Sequence, residues 1–170
     1  MADRSYGEPA LVQFSERLTN SAAFGTLFRE GMDLVEETAA YLDGDGRSEA
    51  KALERAISLT YATESMRLTT RLMQMASWLL LHRAVKEGEM TLIQANREKT
   101  KVKLSAADPG PDDMLEKLPT QLQDLIARSM SLQARVRRLD TTIHAPPAER
   151  TAIGNPLVPQ LNRLKAAFEQ

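Results

Sequence analysis

Apolar residues recur along this chain at helical spacing in three long blocks, and nowhere do they alternate as a strand requires. The first block spans residues 21–42. Phe24, Phe28, Gly31, Val35, Thr38 and Leu42 follow the i, i+4, i+7 rule, with Leu27 and Met32 beside the seam and Arg29, Asp33, Glu36 and Glu37 largely off it. Asn20 or Ser21 is the expected N-cap, since a short hydroxyl or amide side chain can accept from a free N–H of the first turn. Asp43-Gly44-Asp45-Gly46 ends the block, and either glycine can take the left-handed conformation that closes a helix.

The second block is expected to start at Ser48, as N-cap, and to run unbroken to Gly88. That is about 40 residues, or about 60 Å if straight. One seam is Leu53, Ile57, Tyr61, Leu68, Leu72, Met75 and Leu79; a second row, Leu59, Met66, Met73 and Leu80, repeats every seventh residue. Past Gln74 the polar face thins, because Trp78, Leu81 and Val85 occupy it. A helix that is apolar nearly all round must be covered on all sides, so a second chain or a later segment of this one is expected to pack there.

Residues 91–104 predict a short amphipathic piece through Leu92, Ile93 and Ala95, and 105–113, with Pro109-Gly110-Pro111, a linker. The third block begins near Pro119 and ends before Pro146-Pro147. Its heptad, Leu122, Leu125, Ser129, Leu132, Val136, Leu139 and Ile143, alternates three- and four-residue steps. Leu157, Leu161, Leu164 and Phe168 would stripe a short last helix in a loose tail. The predicted architecture is all-α: an up-down-up three-helix bundle with a long middle helix and short extra helices. The predicted division is an N-terminal segment 1–19, a bundle 20–144 and a tail 145–170.

Composition narrows the chemistry. At 170 residues the chain is one ordinary domain that needs no staple. It has no cysteine, which excludes disulfides, thiol nucleophiles, zinc–thiolate sites and iron–sulfur clusters. Net charge is −1, so no global field draws nucleic acid or anionic lipid. The most apolar run, 75–81, is far short of the roughly 20 residues a bilayer span needs. A cytoplasmic protein is expected.

No catalytic, cofactor or metal site is expected. His82 and His144 lie in separate blocks, read as packed core or cap residues with no carboxylate at ligand spacing on the same face. Asp43, Asp45 and Glu54 imitate a calcium loop, but Arg47 stands at its fifth position and Ser48 where glycine is required. Ser48-Glu49-Ala50-Lys51 matches S-x-x-K only formally, without the companion motifs. The basic run Arg97, Lys99, Lys101 and Lys103 and the cations Arg128, Arg135, Arg137 and Arg138 suit ion pairing or an acidic partner better than nucleic acid. Met66, Met73 and Met75 cluster on the middle helix as part core, part adaptable contact surface. The expected protein-binding or dimer face is Met66, Thr70, Met73, Ser77 and Leu80, with Arg67 and Arg71 on its rim; the expected tail contact is Leu157, Leu161, Leu164 and Phe168.

Two strings carry a resemblance. EGMDLVEETAAYLDG at 30–44, followed by Asp45-Gly46-Arg47, and YATESMRLTTRLMQ at 61–74, continuing through Ala76-Ser77-Trp78-Leu79-Leu80-Leu81, resemble the regulator of CtrA degradation family, the RcdA-type adaptors of alphaproteobacteria. The resemblance covers about residues 14–104 well and the third block through its helical pattern. It implies a dimerising three-helix bundle with a flexible tail. It further implies a non-enzymatic adaptor that, with companion adaptors, helps deliver response-regulator-like cargo to the ClpX unfoldase of the ClpXP protease during the cell cycle. The alternative is a helical dimeric DNA-associated or structural regulator.

Overall fold

A computed structural model describes residues 21–99 and 110–144. Among them every regular element is a helix and there is no strand: α1 (Ala22–Asp43), α2 (Asp45–Ala52), α3 (Arg55–Lys86), α4 (Leu92–Lys99), α5 (Asp112–Leu115) and α6 (Thr120–His144). The N-terminal segment 1–19, Asn20, the stretch 100–109 and the tail 145–170 with its apolar stripe lie outside the described residues.

Caps explain most boundaries. The Ser21 hydroxyl accepts from the Phe24 N–H at 3.3 Å and starts α1. Thr91 and Gln94 cap each other reciprocally at the start of α4, Thr91 N–H to Gln94 Oε1 at 2.9 Å and Gln94 N–H to Thr91 Oγ1 at 3.2 Å. Gly88, at φ +75°, closes α3 in the left-handed conformation. Gly44 closes α1 differently: its φ is −107°, and its N–H donates to the Ala40 and Tyr41 carbonyls. The left-handed cap expected at Gly44 or Gly46 is therefore not used.

The expected unbroken second helix is divided. Ser48 lies inside α2 rather than capping a helix, and the chain is extended at Leu53 (φ −77°, ψ 146°) before α3 begins. The break folds α2 back on the end of α1. The Tyr41 hydroxyl donates to Glu49 Oε2 at 2.8 Å, and Gly46 packs under the rings of Tyr41 and Tyr61. Burying two aromatic rings outweighs the few helical hydrogen bonds lost at Leu53.

α1, α3 and α6 pack on one another around one core. The α6 heptad is buried as predicted, including Ser129, with Leu139 half-buried. On α1 the buried face is Phe24, Leu27, Gly31, Leu34, Thr38 and Tyr41, while Phe28, Val35 and Leu42 of the expected seam are only partly buried. The face is rotated because α1 meets both α3 and α6. On α4, Ala95 is buried but Ile93 is 69% exposed.

The helix directions correct the up-down-up order. Arg135 clasps Glu30, and Arg128 clasps Glu37, so α1 and α6 are antiparallel. Phe24 meets Trp78, and Tyr41 and Tyr61 meet at Gly46, so α1 and α3 are also antiparallel. Arg71 bonds Ser129 and Trp78 bonds Asp140, so α3 and α6 run parallel. The order is up-down-down. Short connections favour antiparallel neighbours, but residues 87–119 are a long connection that contains α4 and α5 and has Gly110 beside Glu64, in the N-terminal half of α3.

Two glycines test this packing. A Cβ on Gly46 would lie 2.7 Å from the Tyr61 hydroxyl and 2.8 Å from the Tyr41 ring, whereas one on Gly25 meets nothing within 4 Å. In urea unfolding, Gly25→Ala should stabilise by about 0.5–1 kcal/mol through helix propensity. Gly46→Ala should destabilise by about 1–3 kcal/mol despite the same gain. Equal behaviour of the two variants would mean that the rings do not depend on the glycine.

Candidate functional site

The most unusual surface belongs to α3. Leu59, Met66, Met73 and Leu80 are 71%, 72%, 66% and 53% exposed, one every seventh residue. Together they stretch over about 31 Å of helix. Thr63, Thr70 and Ser77 alternate with them at four- and three-residue steps, the a/d spacing of helices that pair at a shallow angle. Thr63 Oγ1 donates to the Leu59 carbonyl at 3.0 Å and Ser77 Oγ to the Met73 carbonyl at 2.9 Å. Covering these two hydroxyls would leave no donor unpaired.

The face also lacks charge. Between Ala56 and His82 the only charged residues are Glu64, Arg67 and Arg71. Arg71, expected on the rim, is 1% exposed, and its Nη1 donates to Ser129 Oγ at 2.9 Å across the α3–α6 contact. A guanidinium at the buried seam of two helices cannot meet a partner. Arg67, the other residue expected on the rim, donates to Glu64 Oε1 at 2.6 Å. Buried Glu64 accepts a second bond from the Gly110 N–H at 3.1 Å, which ties the long connection to α3. An exposed helix face is ordinarily where charges gather, so an apolar one of this length is unusual.

Beside the stripe, a groove of about 160 Å³ lies between α1 and α3, lined by Val35, Ala39, Leu42, Thr69, Leu72 and Met73 among others. Met73 belongs to both features. The groove is smaller than the roughly 300 Å³ at which small-molecule pockets begin, and suits one or two side chains. A second hollow of about 280 Å³ lies between α5 and α6, at Leu115, Ile126, Ala127 and Met130.

Where α3, α4 and α6 meet, one carboxylate oxygen gathers three elements. Asp140 Oδ1 accepts from Trp78 Nε1 at 2.8 Å, pairs with Lys99 Nζ at 2.7 Å and lies 3.5 Å from His144 Nε2. His82 stacks on Trp78 with centroids 3.9 Å apart, and the His144 ring stands edge-on 5.7 Å away. The two histidines, distant in sequence, are thus neighbours, and Asp140 is the same-face carboxylate that sequence reasoning missed. Its spacing four residues before His144 is the signal that could have shown it. The His82 Nδ1–H donates to the Trp78 carbonyl at 2.9 Å, and its Nε2 is buried without a partner. Burial pushes His82 down to about 4, with nearby His144 and Lys99 adding to the effect. Burial and Lys99 lower His144 as well. Among the described residues no three His, Asp or Glu side chains are placed to hold a metal ion, and residues 45–52 form a helix rather than a calcium loop.

Fold and surface together define an all-helical protein with an uncharged, apolar helix face turned to solvent. Among the described residues no helix is long and apolar enough to cross a membrane. The family described as "Protein of unknown function (DUF1465)" matches residues 15–168. The crystal structure of RcdA from Caulobacter crescentus CB15 is 49% identical, with a TM-score of 0.64, covering 77% of this chain and 98% of that one. No curated protein matches. The chain belongs to the RcdA family.

The histidine cluster sets a pH dependence. Because the folded protein holds His82 neutral down to about 4 while the unfolded chain protonates near 6.5, the unfolded state binds more protons between those values. Stability is therefore full above pH 6.5 and falls as pH drops toward 4, by at most about 3 kcal/mol. Fluorescence of the single tryptophan during urea unfolding at several pH values reads this directly. His82→Phe should flatten most of the slope, and an unchanged slope would place its origin elsewhere.

Proposed function

We propose that this protein is a dimeric, non-enzymatic, cytoplasmic adaptor that binds regulatory proteins and helps deliver them to the ClpXP protease for cell-cycle-regulated degradation. The observation that carries this reading is the uncharged stripe of Leu59, Met66, Met73 and Leu80 on α3, in a chain of the RcdA family. In this reading residues 20–144 are the bundle that presents the face, and 145–170 are a tail that contributes cargo contacts through Leu157, Leu161, Leu164 and Phe168. A second copy of α3 is the natural first occupant of the stripe. Its Leu and Met knobs alternate with small Thr and Ser residues that leave room for a facing helix. Partners are a ClpX-type unfoldase complex, companion adaptors and a response-regulator-like cargo.

The alternative, a DNA-associated or structural helical dimer, is less well supported. Arg128 and Arg135 are clasped by Glu37 and Glu30, and Lys99 is held by Asp140, so these cations are already engaged within the chain. Phosphate binding would draw on cations free to release counterions and would weaken steeply with salt.

Introducing a carboxylate into the stripe should keep the helical spectrum and split the dimer. Met66→Glu or Met73→Glu should shift sedimentation to the monomer mass, because a charge buried without a counterion is strongly unfavourable. An unchanged mass would remove α3 from the interface. For the adaptor role, immobilised full-length protein should capture the ClpX-type unfoldase, companion adaptors or a response regulator from the native host. A chain ending at His144 should lose the cargo. Capture of nucleic acid alone would sink the adaptor reading.

A further inference from the structure

The α1–α3 groove is apolar inside but has an acidic edge. From Glu30 to Asp43, α1 carries five carboxylates and no lysine or arginine. Glu30 and Glu37 turn to α6 and are clasped there by Arg135 and Arg128. Glu36 and Asp43, one position on from the groove residues Val35 and Leu42, are exposed on the next ridge outward, with Asp43 in a long, solvent-exposed pair with Arg47 at 3.8 Å that a docking cation can replace. The groove therefore suits an apolar segment that carries positive charge beside its apolar positions.

The chain itself holds such a segment. Beyond His144, the last described residue, the sequence continues for residues 145–170, and Leu157, Leu161, Leu164 and Phe168 are spaced for one helical face. Pro159 suits a first helical turn, and Arg163 and Lys165 flank Leu164. The reach is sufficient. α6 ends beside His82, with the rings of His82 and His144 5.7 Å apart. The groove begins at Ala76 on the same helix α3, and its centre near Leu72 is about 15 Å along the axis from His82. The twelve residues 145–156 span up to about 40 Å when extended, enough to round α3 and arrive there. The hollow at Ala127 and Met130 lies further from the end of α6, about 25 Å along that helix.

We infer that the C-terminal segment 157–168 docks along the α1–α3 groove of its own chain, Leu161 and Leu164 seated between Val35, Leu42, Leu72 and Met73, with Arg163 and Lys165 facing Glu36 and Asp43. Because Met73 is also part of the exposed stripe, the docked tail covers one flank of that face and competes with any partner that reaches into the groove. The inference does not rest on the adaptor reading, since it is tested with no partner present.

The natural absence of cysteine makes the test direct. Ala39→Cys with Gln160→Cys, in the full chain under dilute mild oxidation, should form an intramolecular disulfide. Its rate should exceed that of an Ala127→Cys, Gln160→Cys control by on the order of tenfold, reflecting a higher local concentration. Arg163→Glu with Lys165→Glu, or Leu161→Ser with Leu164→Ser, should bring the rate down to the control's. Adding Glu36→Lys with Asp43→Lys should restore the charge-reversed protein. Equal rates at positions 39 and 127, faster closure at 127, or disulfides joining two copies would each overturn docking in cis.

Discussion

Helix α3 is apolar around more of its circumference than α1 and α6 can cover. One side carries Leu68, Leu72, Met75, Trp78 and Leu79, all buried, and the opposite side carries Leu59, Met66, Met73 and Leu80 to solvent. Two helices packed against a third shield only the arc between their lines of contact. The rest of the structure answers to this imbalance. α2 folds back to cover the tyrosines near the start of α3, α4 covers its C-terminal half through Ala95, and the remaining stripe faces solvent.

The core is held in register by a few polar contacts rather than by apolar packing alone. Leucines and methionines can slide by one turn at modest cost, whereas Arg71 on Ser129 and Trp78 on Asp140 each accept only one alignment of α3 with α6. Both partners sit where misalignment would leave a buried charge or N–H unsatisfied, which is the costly outcome. The exposed clasps of Arg128 on Glu37 and Arg135 on Glu30 add at most about 1 kcal/mol each. Their greater effect is to take cations and carboxylates out of play, and so to leave Glu36 and Asp43 as the outward acidic groups beside the groove.

The same bonds bear on function. A helix face is readily covered when most of the polar groups around it are already engaged within the chain. Arg67 is held by Glu64, Thr63 and Ser77 return their hydroxyls to the helix backbone, and Arg71 is withdrawn into the core. What faces outward is thioether and isobutyl surface, chemistry that excludes water and adapts to shape without demanding a specific polar partner.

Sequence alone determined the helical class, the α6 heptad with its buried Ser129, and the seven-residue row on α3. Each of these is a local periodicity set by 3.6 residues per turn, and no distant contact is needed to read it. The tertiary structure decided the direction of α6, the break at Leu53, the withdrawal of Arg71 and the meeting of His82 with His144. Those outcomes depend on which faces the long connection brings together. An arginine beside an apolar stripe looks the same in sequence whether a hydroxyl from another helix waits to receive it or only water does. Residues 71 and 129 are far apart along the chain, and only packing puts the one in reach of the other.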